Sequence, residues 1–383
     1  MIPYGRQDIS DDDIDAVVGV LRSDFLTQGP AVPAFEKALC ELTGAAYGVA
    51  ANSATSALHM ACIALGLGPG DRLWTVPLTF LASANCGRYC GAEVDFVDID
   101  PITRNISVDA LAHKLEVAAR ERRLPKILVP VHFTGRPCDM APLRELSRRY
   151  GFHIVDDASH AVGSRYQGGP IGDGRFSDIT VFSFHPVKIV TSAEGGMAMT
   201  NDPKLAHRMQ LARSHGMERD PALFSQPAEG AWVYQMQSLG FNYRLTDLHA
   251  ALGVSQLSRL ETFIGRREAL AARYDQLLAD LPAIRPAPLG EMRSAWHLYV
   301  IEIDSPRHNR AAVFESLRAS GVGAAVHYIP VHLQPYYRDL GFKVGDFPAA
   351  EHYYGRTVTL PLFPGLTEAQ QDVVVEALRS ALA

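Results

Sequence analysis

Between Tyr47 and Asp157 short apolar runs alternate with longer segments of helical periodicity, and this alternation narrows the possible folds more than any other feature. The runs Tyr47–Ala51, Arg72–Val76, Glu93–Val97, Lys126–Val131 and His153–Val155 read as strands. Between them lie helical segments: an alanine-rich one ending near Leu65, then Phe80–Cys90, Val108–Arg122 and Leu143–Tyr150. The runs have few polar positions, as expected of strands covered on both faces. Strand and helix in regular alternation imply an α/β fold, a mostly parallel sheet sandwiched by helices. In such folds ligands bind beyond the carboxyl ends of the strands, so chemistry is sought there.

The flanking segments suit a second, smaller lobe. Ser10 and three aspartates open a capped helix, and a turn-rich loop, Asp24 to Pro30, precedes a helix near Val32–Leu42. A strand over Met197–Thr200 and a helix through Arg213 lead into a polar, turn-rich excursion, Glu218 to Gln237. Asp247 to about Leu281 has the period of one long helix, interrupted at Gly253. Beyond it the pattern is strand (His297–Ile303), helix (Ala311–Ser320), strand (Ala324–Tyr328), a proline-punctuated loop and closing helices. The expected division is a large α/β domain over residues 12–250 and a small C-terminal α+β domain over 251–383, with residues 1–11 an arm near the active site. A net charge of −6 without a basic stripe argues against nucleic-acid and membrane partners. No apolar run approaches a membrane span, and MIPYGRQDIS lacks the features of a secretory signal, so a cytoplasmic location is expected. The five cysteines show no CxxC spacing; Cys86 and Cys90 share a helix face and are read as packing residues, and no metal site is expected.

Four stretches carry chemistry. In NSATSAL (52–58) small residues and hydroxyls join a strand to a helix; Thr55, Ser56 and the free N–H groups of the helix start form a potential phosphate cradle, or simply a cap. In DDASHAVGS (156–164) a carboxylate stands just past a buried strand with His160 three residues after Asp157. In SFHPVKIVTSAEGG (183–196) the apolar run Ile179–Phe182 delivers Lys188 to a fixed place, where desolvation favours the neutral amine and suits it to form a Schiff base. In GFNYRLTD (240–247) Asn242 and Arg244 precede a helix capped by Thr246 or Asp247. An anion cradle, an amine and a carboxylate together match pyridoxal 5'-phosphate, which has a phosphate, an aldehyde and a basic ring nitrogen. There is no Walker loop, GxSxG, HExxH or GxGxxG after the first strand.

On these stretches, and on IPYGRQDIS, FLTQG (25–29), RSHGM (213–217) and VHYIPVH (326–332), the whole chain resembles the DegT-type sugar-nucleotide aminotransferases, a branch of the fold type I pyridoxal-phosphate enzymes. Within them it is most similar to the transaminases of pseudaminic acid biosynthesis that make UDP-4-amino-4,6-dideoxy-N-acetyl-β-L-altrosamine. The resemblance implies that Lys188 holds the cofactor as an internal aldimine, that Asp157 pairs with the pyridinium nitrogen and that His160 lies by the 3-hydroxyl. It further implies Phe80 stacked on the ring, Thr55, Ser56 and Ser183 on the phosphate, and Asn242 reaching in from the partner of a homodimer with composite active sites. The sugar-nucleotide pocket would take in Tyr4, Asp24, Phe25, Leu26, Thr27, His185, His327, Tyr328, Ile329 and Pro330, with His185 equally readable as a packing residue. The implied reaction moves the amino group of L-glutamate to C4 of a UDP-linked 4-keto-6-deoxy-N-acetylhexosamine. Arg6, Arg213, His215 and Arg244 are the candidate cations for carboxylates and diphosphate. The rival implications are another nucleotide-linked keto sugar, a sugar dehydratase, in which a histidine replaces the lysine, or a non-catalytic cofactor-binding regulator.

Overall fold

The computed structural model covers residues 1–383. The apolar runs form a seven-stranded sheet of β1 (Tyr47–Ala51), β2 (Arg72–Thr75), β3 (Glu93–Phe96), β4 (Ile127–Val129), β5 (His153–Asp157), β6 (Ile179–Ser183) and β7 (Gly196–Thr200). Their order across the sheet is β1–β7–β6–β5–β4–β2–β3. The pairs among β2 to β6 are parallel, as the strand–helix alternation requires. Strand β7 is antiparallel to both β6 and β1. Its reversal follows from the connection: β6 and β7 are joined by the loop bearing Lys188, and no crossover helix intervenes to bring the chain back parallel.

Helices α1 (Asp11–Leu21), α2 (Ala31–Thr43), α3 (Ala54–Ala64), α4 (Ala82–Tyr89), α5 (Val108–Glu121), α6 (Met140–Tyr150) and α7 (Pro203–Arg213) accompany this sheet. The expected single helix after Asp247 is two helices, α8 (Asp247–Ser258) and α9 (Leu260–Leu277). The break falls at Arg259, not at Gly253, which stays helical because Phe35 packs against it: a Cβ there would lie 2.5 Å from the ring. Arg259 instead turns out of the helix (φ −102°, ψ 6°) and its guanidinium binds Asp8 and the fully buried Asp13.

Two apolar cores exist. One surrounds the large sheet and includes Ile264 of α9 and, from late in the chain, Val331, Tyr337 and Tyr353. The other joins Leu270 and Tyr274 of α9 to a three-stranded sheet, β8 (Ala283–Ile284), β9 (Tyr299–Ile303) and β10 (Thr357–Leu360), and to α10 (Arg310–Ala319) and the C-terminal helix Glu368–Ala381. The sequence expectation of a strand over Ala324–Tyr328 reduces to one bridge, Ala325 with Thr359. The excursion after Glu218 closes as a two-residue hairpin, Met217–Glu218 with Gln235–Met236. The N-terminal arm is stitched to the small lobe by Ile2 N to Gly321 O (2.8 Å), Gly323 N to Ile2 O (2.7 Å) and Leu362 N to Tyr4 O (3.0 Å), which fixes Tyr4.

Candidate active site

The carboxyl ends of the parallel strands open onto a cavity of about 740 Å³ lined by Lys188, Asp157, His160, Thr55, Ser56, Ser183, Phe80, Tyr4, His185, His327 and Tyr328. Eleven residues singled out from six separate stretches thus share one space.

Lys188 is half-buried in a loop that folds on itself. Phe184 N donates to Gly195 O and Ser192 N to Phe184 O, both at 2.9 Å, and Thr191 Oγ1 donates to Phe184 O at 3.1 Å. Lys188 N in turn donates to His185 O at 2.9 Å. Burial pulls the Lys188 amine down to about 8, against the opposing pull of Asp157. A lysine so placed gives up its proton near neutrality and serves as nucleophile and base.

Asp157 ends β5 and is buried. Its Oδ2 accepts from Ser83 Oγ at 2.6 Å and its Oδ1 from Ser159 N at 3.1 Å. His160 is also buried, and its Nε2 lies 3.2 Å from the Tyr328 hydroxyl while Nδ1 has no partner. Burial pushes its pKa well below the ordinary histidine value, and Lys188 and His327 push the same way, so the ring is neutral. His327 is held down to about 3 by burial and by Lys188, with Nδ1 2.8 Å from Thr359 Oγ1.

The start of α3, the candidate anion cradle, has a local cause. Ser53 caps α3, accepting from Ser56 N at 3.1 Å, so the N–H groups of the first turn face the cavity end of the helix. Ser56 Oγ donates to Asn52 Oδ1 at 2.6 Å, so its proton already has a partner, while Thr55 is free of side-chain bonds to its neighbours. Gly196 lets β7 pass against this turn: a Cβ there would meet Ala54 N at 2.4 Å. Phe80, 58% exposed, projects from the β2–α4 connection with its ring 6.3 Å from that of Tyr328. It is no core aromatic.

Asn242, Asp24, Phe25, Leu26, Thr27, Ile329 and Pro330 do not line this cavity. The 24–27 loop packs instead on the start of α8: Thr27 bridges to Thr246, Asp247 N donates to Leu26 O at 3.0 Å, and Phe25 and Leu26 are half exposed, while Asn242 is exposed and bridges to Ser214. No arginine lines the cavity. Arg213 is committed to Glu36 Oε1 at 2.7 Å and Ala50 O at 3.1 Å, which removes it from the candidate cations. Arg6 adjoins Lys188 on the far side of the loop. Sequence reasoning missed Glu194 and His249, which also line the cavity. The glycine pair after Glu194 was a signal for a close approach there; His249, one turn into α8, had none.

A half-buried amine, a hydrogen-bonded carboxylate and a helix start at the strand ends of a helix-sandwiched sheet suit an α/β enzyme of carbonyl–amine chemistry. The model of the DegT/DnrJ/EryC1/StrS aminotransferase family matches residues 7–379, and the chain belongs to that family. It is 39% identical to the spore coat polysaccharide biosynthesis protein SpsC of Bacillus subtilis, over 99% of this chain and 96% of that one. Among solved structures it is similar to Helicobacter pylori PseC, an aminotransferase involved in the biosynthesis of pseudoaminic acid (TM-score 0.89, 31% identity, 100% of this chain and 99% of the other). It is equally similar to the PLP-form of the putative sugar aminotransferase Spr1654 of Streptococcus pneumoniae (TM-score 0.89, 30% identity, 99% and 98%). The architecture is that of the fold type I aminotransferases. No helix is long and apolar enough to cross a membrane.

Proposed function

We propose that this enzyme transfers the amino group of L-glutamate to C4 of a UDP-linked 4-keto-6-deoxy-N-acetylhexosamine, using pyridoxal 5'-phosphate. The observation that carries the reading is the convergence of Lys188, Asp157 and the start of α3 on one cavity. The residues present fit the cofactor: an amine lowered to about 8 for its aldehyde, a carboxylate with two fixed donors for its ring nitrogen, and the first turn of α3 with Thr55 for its phosphate. When bound, the cofactor supplies an electron sink that makes the hydrogen on the amine-bearing carbon acidic. Lys188 Nζ would hold the cofactor's aldehyde and would serve as the base that moves that proton. Neutral His160 offers its Nε2 edge to the 3-hydroxyl in concert with Tyr328. Phe80 covers the open face of the ring and restricts water, and Tyr4 with His327 borders the sugar.

The second half of the proposal is a homodimer with composite sites in the cytoplasm. It is supported by Asn242 and by the 24–27 loop with its half-exposed Phe25 and Leu26, all of which lie outside the cavity they are expected to serve. Asn242, and Arg244 as a cation for the substrate anions, then act on the partner's cavity.

The test incubates the purified enzyme with L-glutamate and a panel of UDP- and dTDP-linked 4-keto sugars, with amino-sugar product read by mass spectrometry. Turnover of the UDP N-acetylhexosamine is expected. Turnover confined to dTDP sugars overturns the substrate assignment, and the greater identity to the spore-coat protein makes another keto sugar the second reading. Lys188→Ala is expected to bind cofactor without a reducible covalent link and to be inactive. Mixing Lys188→Ala with Asn242→Ala chains restores part of the activity only if sites are shared between subunits.

A further inference from the structure

The proposed function leaves one buried cluster without a task. Thr79 on the β2–α4 connection and Ser83 in the first turn of α4 lie on either side of Phe80 in sequence, and both are buried. Thr79 Oγ1 and Ser83 Oγ are 2.8 Å apart, and Ser83 Oγ is 2.6 Å from Asp157 Oδ2. Ser83 Oγ also approaches Phe80 O, at a long 3.4 Å.

The proton count settles the direction of this chain. An ionised carboxylate only accepts, so the single hydroxyl proton of Ser83 goes to Asp157. Ser83 Oγ is then an acceptor toward its neighbour, and Thr79 must be the donor. Both hydroxyls therefore point their positive ends toward the carboxylate, and each polarises the next. The 2.6 Å separation is that of a charge-assisted bond. With Ser159 N on Oδ1, the carboxylate has one donor from the chain on each oxygen and its plane is fixed, while its remaining lone pairs face the cavity that it lines.

We propose that Ser83, backed by Thr79, is a positioning residue that holds the Asp157 carboxylate oriented toward the ring nitrogen of the bound cofactor. The inference rests on the reading of Asp157 as that nitrogen's partner. Asp157 is only 5% exposed, so its donors within the chain, rather than water, set how its carboxylate is oriented. The same turn presents Phe80 to the cavity, so the residue meant to cover the ring and the hydroxyls meant to fix its charge partner move together.

The experiment compares Ser83→Ala, Thr79→Val and Asp157→Asn with the parent enzyme. Three quantities are read: cofactor affinity of the apo-enzyme by equilibrium titration, the pH midpoint of the bound cofactor's visible absorbance, and thermal stability of the apo form. Ser83→Ala is expected to weaken cofactor binding roughly ten- to a hundredfold, the loss of one hydrogen bond to a charged group. Its absorbance midpoint is expected to rise, because a ring nitrogen less firmly protonated withdraws fewer electrons from the imine. Thr79→Val should move both quantities in the same direction by less, and it tests the chain without touching Ser83 if Ser83→Ala fails to fold. Impaired binding in Asp157→Asn with Ser83→Ala and Thr79→Val at parental affinity and midpoint overturns this inference alone. Parental behaviour of Asp157→Asn overturns the reading of Asp157, and the inference falls with it. A loss of apo stability in the hydroxyl variants with affinity and midpoint unmoved also overturns the inference, since it marks a packing role.

Discussion

Gly196→Ala probes how closely the sheet and the anion cradle are joined. Its ideal Cβ would stand 2.4 Å from Ala54 N and 2.5 Å from both Ser53 C and Ser53 O. All three are backbone atoms, so no rotamer change relieves the contact. Non-bonded heavy atoms settle near 3.5 Å, so the first turn of α3 or the start of β7 must retreat by roughly 1 Å. Overpacking of this kind costs about 1–3 kcal/mol. For a chain of 383 residues that is a Tm loss of roughly 1–4 °C, small enough to leave a folded enzyme. The catalytic cost is the larger one, because a 1 Å displacement of positioning groups lowers the rate about a hundredfold. The assay pairs scanning calorimetry with kcat/KM and cofactor affinity. Gly265→Ala is the control, since Gly265 is exposed within α9 and a Cβ there meets nothing within 4 Å. It should gain about 0.5–1 kcal/mol and keep full activity. Gly196→Ala with parental activity and affinity would refute the argument that the glycine exists to let β7 pass the cradle.

Other consequences follow from buried charge. The Lys188 amine lies at about 8 when folded against 10.5 as a free side chain, so between these pH values the unfolded chain binds more protons and stability rises with pH. At about 1.4 kcal/mol per pKa unit the rise is at most about 3 kcal/mol, and urea melts of the apo-enzyme should show it in the parent and lack it in Lys188→Met. Burial pushes the Asp13 carboxyl up, but bonds from Ser10, Ser255, Gln256 and Arg259 outweigh it and hold the carboxyl below its ordinary value. Its stabilising share is therefore present above pH 4 and lost as the pH falls through the lowered value, which acid titration of the melting temperature will follow. Arg259→Ala strands that carboxylate and should cost about 3 kcal/mol in chemical denaturation, with the junction of α8 and α9 loosened. Phe25→Asp, at a position 52% exposed in the single chain, should leave the chain folded but shift it toward monomer in sedimentation, with activity falling in step; an active monomer would remove the basis for shared sites.

What could be read from the sequence, and what could not, divides along a physical line. The parallel strands, and the placing of Thr55, Asp157 and Lys188 around one cavity at the strand ends, were legible because each is set by a local pattern: an apolar run, a cap, a residue just past a strand end. The reversed strand β7 was not, because nothing in Gly196–Thr200 itself encodes direction; the Lys188 loop does, by folding back through Phe184, Thr191 and Ser192. The position of the helix break was misplaced for a related reason. Gly253 is the weaker helix former, yet Phe35 fills the space beside it, and the break moved to Arg259, where two aspartates from the first thirteen residues reward the turn. Ser83 was invisible in the same way. Its significance is its 2.6 Å bond to a carboxylate 74 positions further along the chain, and no window of sequence contains both ends. Chemistry-bearing residues announced themselves through local backbone requirements, whereas the groups that tune them are defined by contacts across the fold. Ser83, which reaches Asp157 across the fold, and Glu194 and His249, which line the same cavity, belong to the second set.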